Sequence, residues 1–529
     1  MQTSWLVILP PFIVLIAAFM TRHLNASLLI GLVVAAGIAT QGNILATIVH
    51  LLTRLYEHVV CLDSIYLYGF LLAISTLIVI LDKTGGAKGF AHALTKHLRS
   101  KRSVEISTIL MSMSLFIDDY LSTLNVGYVM RPLSDKFYIP RVKLAFLVHS
   151  LSGLLVILMP ISSWVAMITG QLDQAGISPL INANTTIIGD PFSIYVQAIP
   201  FIFYSLFIVG SVWFIVHRNI SFGPMHTQEV IAEQTHNLFG GKAPLTVHTE
   251  EEENPQTGSL VDLVLPLALL VGIIICGILY AGGFYLFGGT HSFVEALQNN
   301  CYTGLILFVA SIVTIIFTLG LTWIQGKIHL WQLPIIGKEG YHLIYSAIIM
   351  LMLVSTLGAI LREDLHTGDY IASYLLGSLP IALLPFTVFV VASLCSIITG
   401  SSWGTITLLV PIALPILTAY AATSGPLTPD QLPLLFPLLG AIFAGSVCGD
   451  HISPLSQTTV MAAASCGAYV LDHIKTQLPY ALPALICAAV SFIIAGYTCS
   501  YGLLTCWLAS LVPGLVLTLV TLYLLHRCK

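Results

Sequence analysis

The sequence predicts an all-α polytopic membrane protein of about 11 spans plus 2 re-entrant hairpins. The spans form two inverted structural repeats, each with one hairpin and one broken transmembrane helix. Three observations carry this expectation. Of 529 residues, 57% are hydrophobic and 8% charged, with a mean hydropathy of +0.93, a composition foreign to a soluble globule of this size. Many apolar runs of roughly 17 to 25 residues match a hydrocarbon core about 30 Å thick, and the alternation of a β-barrel is absent. Finally, all but two of the 20 Lys and Arg fall in loops that a single membrane face can hold, provided two apolar segments turn back without crossing.

The chain can be followed on that rule. Trp5 to Met20 has no Lys or Arg before it, so it lacks a signal peptide's basic start and reads as a retained first span. It meets Arg22 on the basic face, Leu24 to Thr40 returns outward, and Cys61 to Leu81 delivers Lys83 and Lys88 back. Lys96, Arg99, Lys101 and Arg102 stay there. Segment 104-130 has basic clusters at both ends, and a single crossing would strand one of them outside. As one helix it would measure roughly 40 Å, as two halves about 20 Å, so it reads as a hairpin turning at Asp118-Asp119-Tyr120-Leu121-Ser122-Thr123. A broken span at 144-168 and a span from Ser193 to Val216 complete the first transmembrane repeat, 1-218.

Residues 219-259, with Glu250 to Glu253 and several Gly, Pro, Gln and Asn, read as a solvated cytoplasmic linker too poor in apolar residues to pack. The second repeat, 260-498, starts from the opposite side. It holds three spans, a hairpin at about 383-420 with its polar break at Thr399 to Thr405, a broken span at 434-470 and a closing span. Residues 499-529 add a C-terminal span and a basic tail. Arg54 and Arg362 are the two misplaced bases. Ten Cys without CxxC pairs or metal-like spacing read as small buried hydrophobes. The net charge of -4 is divided between two aqueous compartments and identifies no partner.

Inverted repeats with discontinuous helices bring carbonyls, hydroxyls and helix-end dipoles to a solute near the midplane, because an intact helix leaves no backbone group free. The expected function is therefore secondary active transport by alternating access. An ionised carboxylate in an apolar run costs roughly 2.5 kcal/mol or more. Asp118, Asp119 and Asp450 are thus expected to face a cavity, a partner or a cation, although one of the first two could simply cap a half-helix. Ser122, Thr123, Ser162, Ser163, Gly400, Ser401, Ser402 and Thr405 offer oxygens at the breaks, against a packing role common for hydroxyls in membrane helices. His451, Ser453, Ser456, Gln457 and Thr458 follow Asp450, and an acid beside a histidine can relay protons; His149 joins them. Trp164 and Trp403, each after a Ser-Ser pair, read as packing residues.

The first half carries Phe116-Ile117-Asp118-Asp119-Tyr120, the run Val129 to Lys136, and Pro160-Ile161-Ser162-Ser163-Trp164. The second carries Thr399-Gly400-Ser401-Ser402-Trp403-Gly404-Thr405, Gly449-Asp450-His451-Ile452-Ser453-Pro454, and Asp472-His473 through Thr476-Gln477-Leu478-Pro479-Tyr480. In these motifs the chain resembles the NhaC-like sodium/proton antiporters of the ion transporter superfamily. The resemblance covers residues 100 to 215 and 380 to 485. It implies a multi-pass antiporter of the bacterial inner membrane that exchanges sodium for protons, with Asp118, Asp119 and Asp450 as the sodium site and no cofactor.

The implied partners are the lipid bilayer and a small cation or small organic solute, with no nucleic acid and with homodimer formation left open. Some family members couple exchange to malate and lactate, so a small organic-acid or amino-acid exchanger of the same fold is the alternative. The family usually has aspartate where this chain has His149 and Gln457, which removes two fixed charges and makes His149 a titrating candidate. An intramembrane enzyme and a passive channel are remote: no HExxH motif is present, and paired hairpins suit a carrier.

Overall fold

The structure is a computed structural model that describes residues 5-21, 23-86, 89, 100-181, 185-244, 258-298, 302-375, 379-421 and 425-528. Arg22, Lys88, Lys96, Arg99 and Glu250 to Glu253 lie outside the described residues. Among the described residues ten helices are long and apolar enough to cross a membrane, or up to 11 if Leu24–Ala39 and Ile44–Val59, bent by 118° at Gln41-Gly42, count as one span. Gly42 makes that corner with a φ of 80°, and Asn43 caps the following helix by accepting from the Ala46 N–H. The architecture is that of an all-α polytopic membrane protein, with hairpin, broken span and closing span recurring in this order in each half.

The first hairpin consists of Lys101–Ser114 and Asp119–Lys136, longer at both ends than 104-130. Its turn lies at residues 115-118, so Ser122 and Thr123 belong to the first turn of the second helix. The shift arises because Asp118 caps that helix, its Oδ1 accepting from the Leu121 N–H at 3.0 Å. The first broken span runs as Arg141–Ser150, a short turn Gly153–Val156, irregular chain, and Ser163–Gln174. The second hairpin, Leu384–Thr399 and Ser402–Tyr420, matches 383-420, and the second broken span is Leu435–Ile452 followed by Gln457–Cys466.

Burial separates the broken elements from the rest. Every residue of Arg141–Ser150 is buried, and Leu435–Ile452 is 89% buried in protein, whereas only 22% of the apolar stretch of Leu503–Arg527 is. Interrupted helices therefore occupy the centre, where freed backbone groups find protein partners, and unbroken apolar helices surround them. Each hairpin tip docks on the break of its own half. The Ser163 N–H donates to the Ile117 carbonyl at 2.8 Å, and the Ser453 hydroxyl donates to the Ile397 carbonyl at 2.8 Å. Gly400, at φ 64°, permits the second docking, since a Cβ there would lie 2.7 Å from the Leu455 carbonyl oxygen.

Two expectations change. The linker is partly folded: Gly223–Thr235 is a helix with Met225, Glu229 and Ala232 buried. Its low apolar content misleads because its key contact is ionic; Lys143 Nζ sits 2.7 Å from Glu105 and 2.5 Å from Glu229. The cysteines are not all unpaired, for Cys499 and Cys506 form a disulfide between the last two helices. The two misplaced bases share one acidic cluster. Arg54 pairs with Glu363 at 2.7 Å and Asp364 at 2.5 Å, and Arg362 pairs with Glu363 at 2.7 Å.

Candidate functional site

The four breaks converge, and their polar side chains divide into two groups joined across the halves. In the first group, Asp118 Oδ1 caps its helix while Oδ2 accepts the Ser163 hydroxyl at 2.8 Å, so capping and linkage coexist in one carboxylate. Asp119, the next residue, sits in the first turn, where the helix dipole favours negative charge. Its Oδ1 and the Ser122 hydroxyl are both buried without a hydrogen-bond partner. Residues three apart lie on one helix face, so Asp119 and Ser122 share a face.

In the second group, Asp450 Oδ1 accepts from Ser456 at 2.8 Å and Oδ2 from Thr458 at 2.7 Å. Thr458 Oγ1 is also 3.3 Å from His149 Nε2, which links the second break to the first broken span. The His149 ring lies, through Nδ1, 3.2 Å from both His473 Nε2 and Gln477 Oε1. His451 is held between Ser150 at 3.1 Å and the Tyr204 hydroxyl at 2.8 Å, with its ring 4.8 Å from that of His149. The groups meet where Tyr120 donates to Gln457 Oε1 at 3.1 Å.

Other residues singled out in the sequence have their hydroxyls occupied by backbone. Thr123 donates to the Asp119 carbonyl, Ser162 to Val156, Ser402 to Ser446, Thr405 to Ser401 and Ser453 to Ile397. Ser401 caps its helix through the Gly404 N–H, and Gly400 makes the turn. Trp164 and Trp403 pack edge to face, 6.0 Å between ring centres, which agrees with a packing role. Among the described residues no group of three His, Cys, Asp or Glu could hold a metal ion.

Residues 155–497 match the sequence model of the Na+/H+ antiporter family. The chain belongs to the Na+/H+ antiporter family. This antiporter is 28% identical to an uncharacterized protein of Haemophilus influenzae over 93% of its own length and 91% of the relative's. It is 31% identical to the malate-2H(+)/Na(+)-lactate antiporter of Bacillus subtilis over 20% of this chain and 21% of that one. An uncharacterized Na(+)/H(+) antiporter of Haemophilus influenzae is also 31% identical, over 21% of each chain. The antiporter is thus a multi-pass secondary transporter.

Sequence reasoning quoted His473 and Gln477 as part of a motif without giving them a role, and passed over Tyr204 and Ser150. A usable signal was present: His473, Gln477 and Tyr480 recur at helical spacing on one buried face of Val470–Thr498, apart from the charged Asp472 and Lys475.

Proposed function

We propose that this antiporter takes sodium at Asp118, Asp119 and Ser122, takes protons at Asp450 and His149, and works by alternating access in a bacterial inner membrane. One observation carries this division. The Asp119 Oδ1 and Ser122 hydroxyl are buried and unpartnered, whereas both Asp450 oxygens already accept hydroxyls. A buried bare carboxylate oxygen is costly unless a cation or proton meets it, and a hard monovalent cation takes oxygen ligands of this kind. Asp450, joined through Thr458 to a titratable ring, suits the proton instead. Tyr120, next to Asp119, bonds Gln457, next to Thr458, so the two carboxylate groups are tied together, and linked negative sites compete for positive charge, which is the requirement for exchange. No cofactor enters this scheme; sodium and protons are its substrates.

A second reading, exchange of a small organic acid, is favoured by His149. Its imidazole stands where the family pattern has a carboxylate, and when protonated it would attract an anion; the Bacillus subtilis relative is named for malate and lactate. Reconstituted protein with an internal pH-sensitive dye separates the two. Sodium, lithium, potassium, malate, lactate and amino acids are added in turn, with Asp118→Asn and Asp450→Asn beside the parent. A sodium- or lithium-driven pH change lost in both variants supports cation/proton exchange. A response only to an organic acid supports the second reading and overturns the first.

A further inference from the structure

The imidazole chain does not end at His149. His473 is fully buried, its Nε2 faces His149 Nδ1 at 3.2 Å, and its Nδ1 is buried with no hydrogen-bond partner. It occupies the fourth position of Val470–Thr498, one helical turn from the end that carries the basic loops. Beside that helix start is a cleft of about 400 Å³ lined by Gln228, Asp472, Lys475 and Thr476. His473 lies one residue beyond Asp472, on the buried side of the same turn. The charged groups around it are Asp472, paired with Lys242 of the linker at 2.6 Å, Lys475 on its own helix, and the rings of His149 and His451 from the two broken spans.

We propose that His473 passes protons between the basic-face cleft and His149, as the inner end of the path His473–His149–Thr458–Asp450. The proposal rests on the sodium/proton reading above. In one transfer a proton binds His473 Nδ1 and another leaves its Nε2 for His149 Nδ1. His149 Nε2 then gives a proton to Thr458, which releases its own to Asp450 Oδ2. One proton moves in total, the hydroxyl is restored, and each ring is left in its other tautomer and turns over before the next proton follows. Gln477 Nε2 donates to the His451 carbonyl, which directs Oε1 to His149 Nδ1; as an acceptor, Oε1 holds the ring once Nδ1 carries the proton, the state reached after each transfer. An amide is a poor proton carrier, so the imidazole branch carries the proton and Gln477 positions the ring.

The test compares two activities of the full chain in proteoliposomes: sodium-driven proton flux, which needs the path, and exchange of labelled sodium for sodium at equal pH, which does not. His473→Gln keeps a hydrogen-bonding group but cannot relay. It is expected to lower proton flux at least about a hundredfold, the low end of what proton-transfer groups contribute, and to leave sodium/sodium exchange near the parent's. Added imidazole should restore proton flux to His473→Ala, and pyrrole, the same size without a basic nitrogen, should not. Equal loss of both activities, or full proton flux in His473→Gln, would overturn the relay. A parent that exchanges sodium for sodium yet moves no protons would overturn the sodium/proton reading and the relay with it.

Discussion

Asp118 Oδ2 accepts the Ser163 hydroxyl at 2.8 Å, joining the tip of the first hairpin to the break of the first broken span, while Oδ1 of the same carboxylate caps the helix that begins at Asp119. One side chain therefore serves folding and holds charge at the centre, and substitutions can separate these roles.

Asn is as good an N-cap as Asp, so Asp118→Asn should keep the hairpin and change thermal stability little. Asp118→Ala should cost about 1 kcal/mol through the lost cap. Both should lose sodium-driven proton flux. Melting in detergent beside flux in proteoliposomes checks this, and a fully active Asp118→Asn would remove the carboxylate from the mechanism.

Lys143 is clamped between Glu105 and Glu229. Lys143→Met leaves buried Glu105 without a counter-charge and Glu229 with only Lys101, 3.9 Å away, and the expected loss is about 3 to 5 kcal/mol, seen as poor yield and a lower melting temperature. Adding Glu105→Gln and Glu229→Gln should recover much of it. A single variant as stable as the parent would show that the cluster tolerates an unpaired acid.

The two halves also touch through small residues. A Cβ on Gly127 would lie 2.0 Å from Ser465 Oγ, the hydroxyl that donates to the Thr123 carbonyl at 3.0 Å. Gly127→Ala should therefore destabilise by about 1 to 3 kcal/mol, as overpacking does. Ser465→Gly in the same chain should relieve the clash, and additive losses in that double variant would count against the contact.

Side-specific labelling examines the topology. Leu180→Cys, in an exposed loop, and Lys338→Cys, at an exposed position beside the basic loops, are expected to react from opposite faces of the membrane. The background needs the exposed Cys61, Cys276 and Cys528 replaced. The Cys499–Cys506 disulfide fits the same topology, because it joins the last two helices at the end away from Arg527, on the side where an oxidising compartment would lie. Labelling of both new cysteines from one face would reverse part of the chain.

The fold was legible because a bilayer imposes simple arithmetic. Spans must be long and apolar, and basic residues must collect on one face, so segments such as 383-420 that violate a single crossing identify themselves as hairpins. The location of the first turn was less legible, because Asp118 could end one helix or sit inside a loop, and only its capping bond to Leu121 decides between them. The linker helix escaped notice since its anchor is an ion pair with Lys143, a residue 86 positions away from Glu229.

By itself, then, the sequence determined the membrane class, the order of hairpins and broken spans, and the presence of carboxylates too costly to be idle in hydrocarbon; each follows from local composition and length. The tertiary structure alone decided how the polar side chains are used. Ser162, Thr405 and Ser453 satisfy nearby carbonyls, whereas His149, Thr458, Asp450 and His473, drawn from both halves, meet in one buried line. Hydrogen bonds form over about 3 Å, so partners more than 300 residues apart in the chain are defined only once the helices have packed.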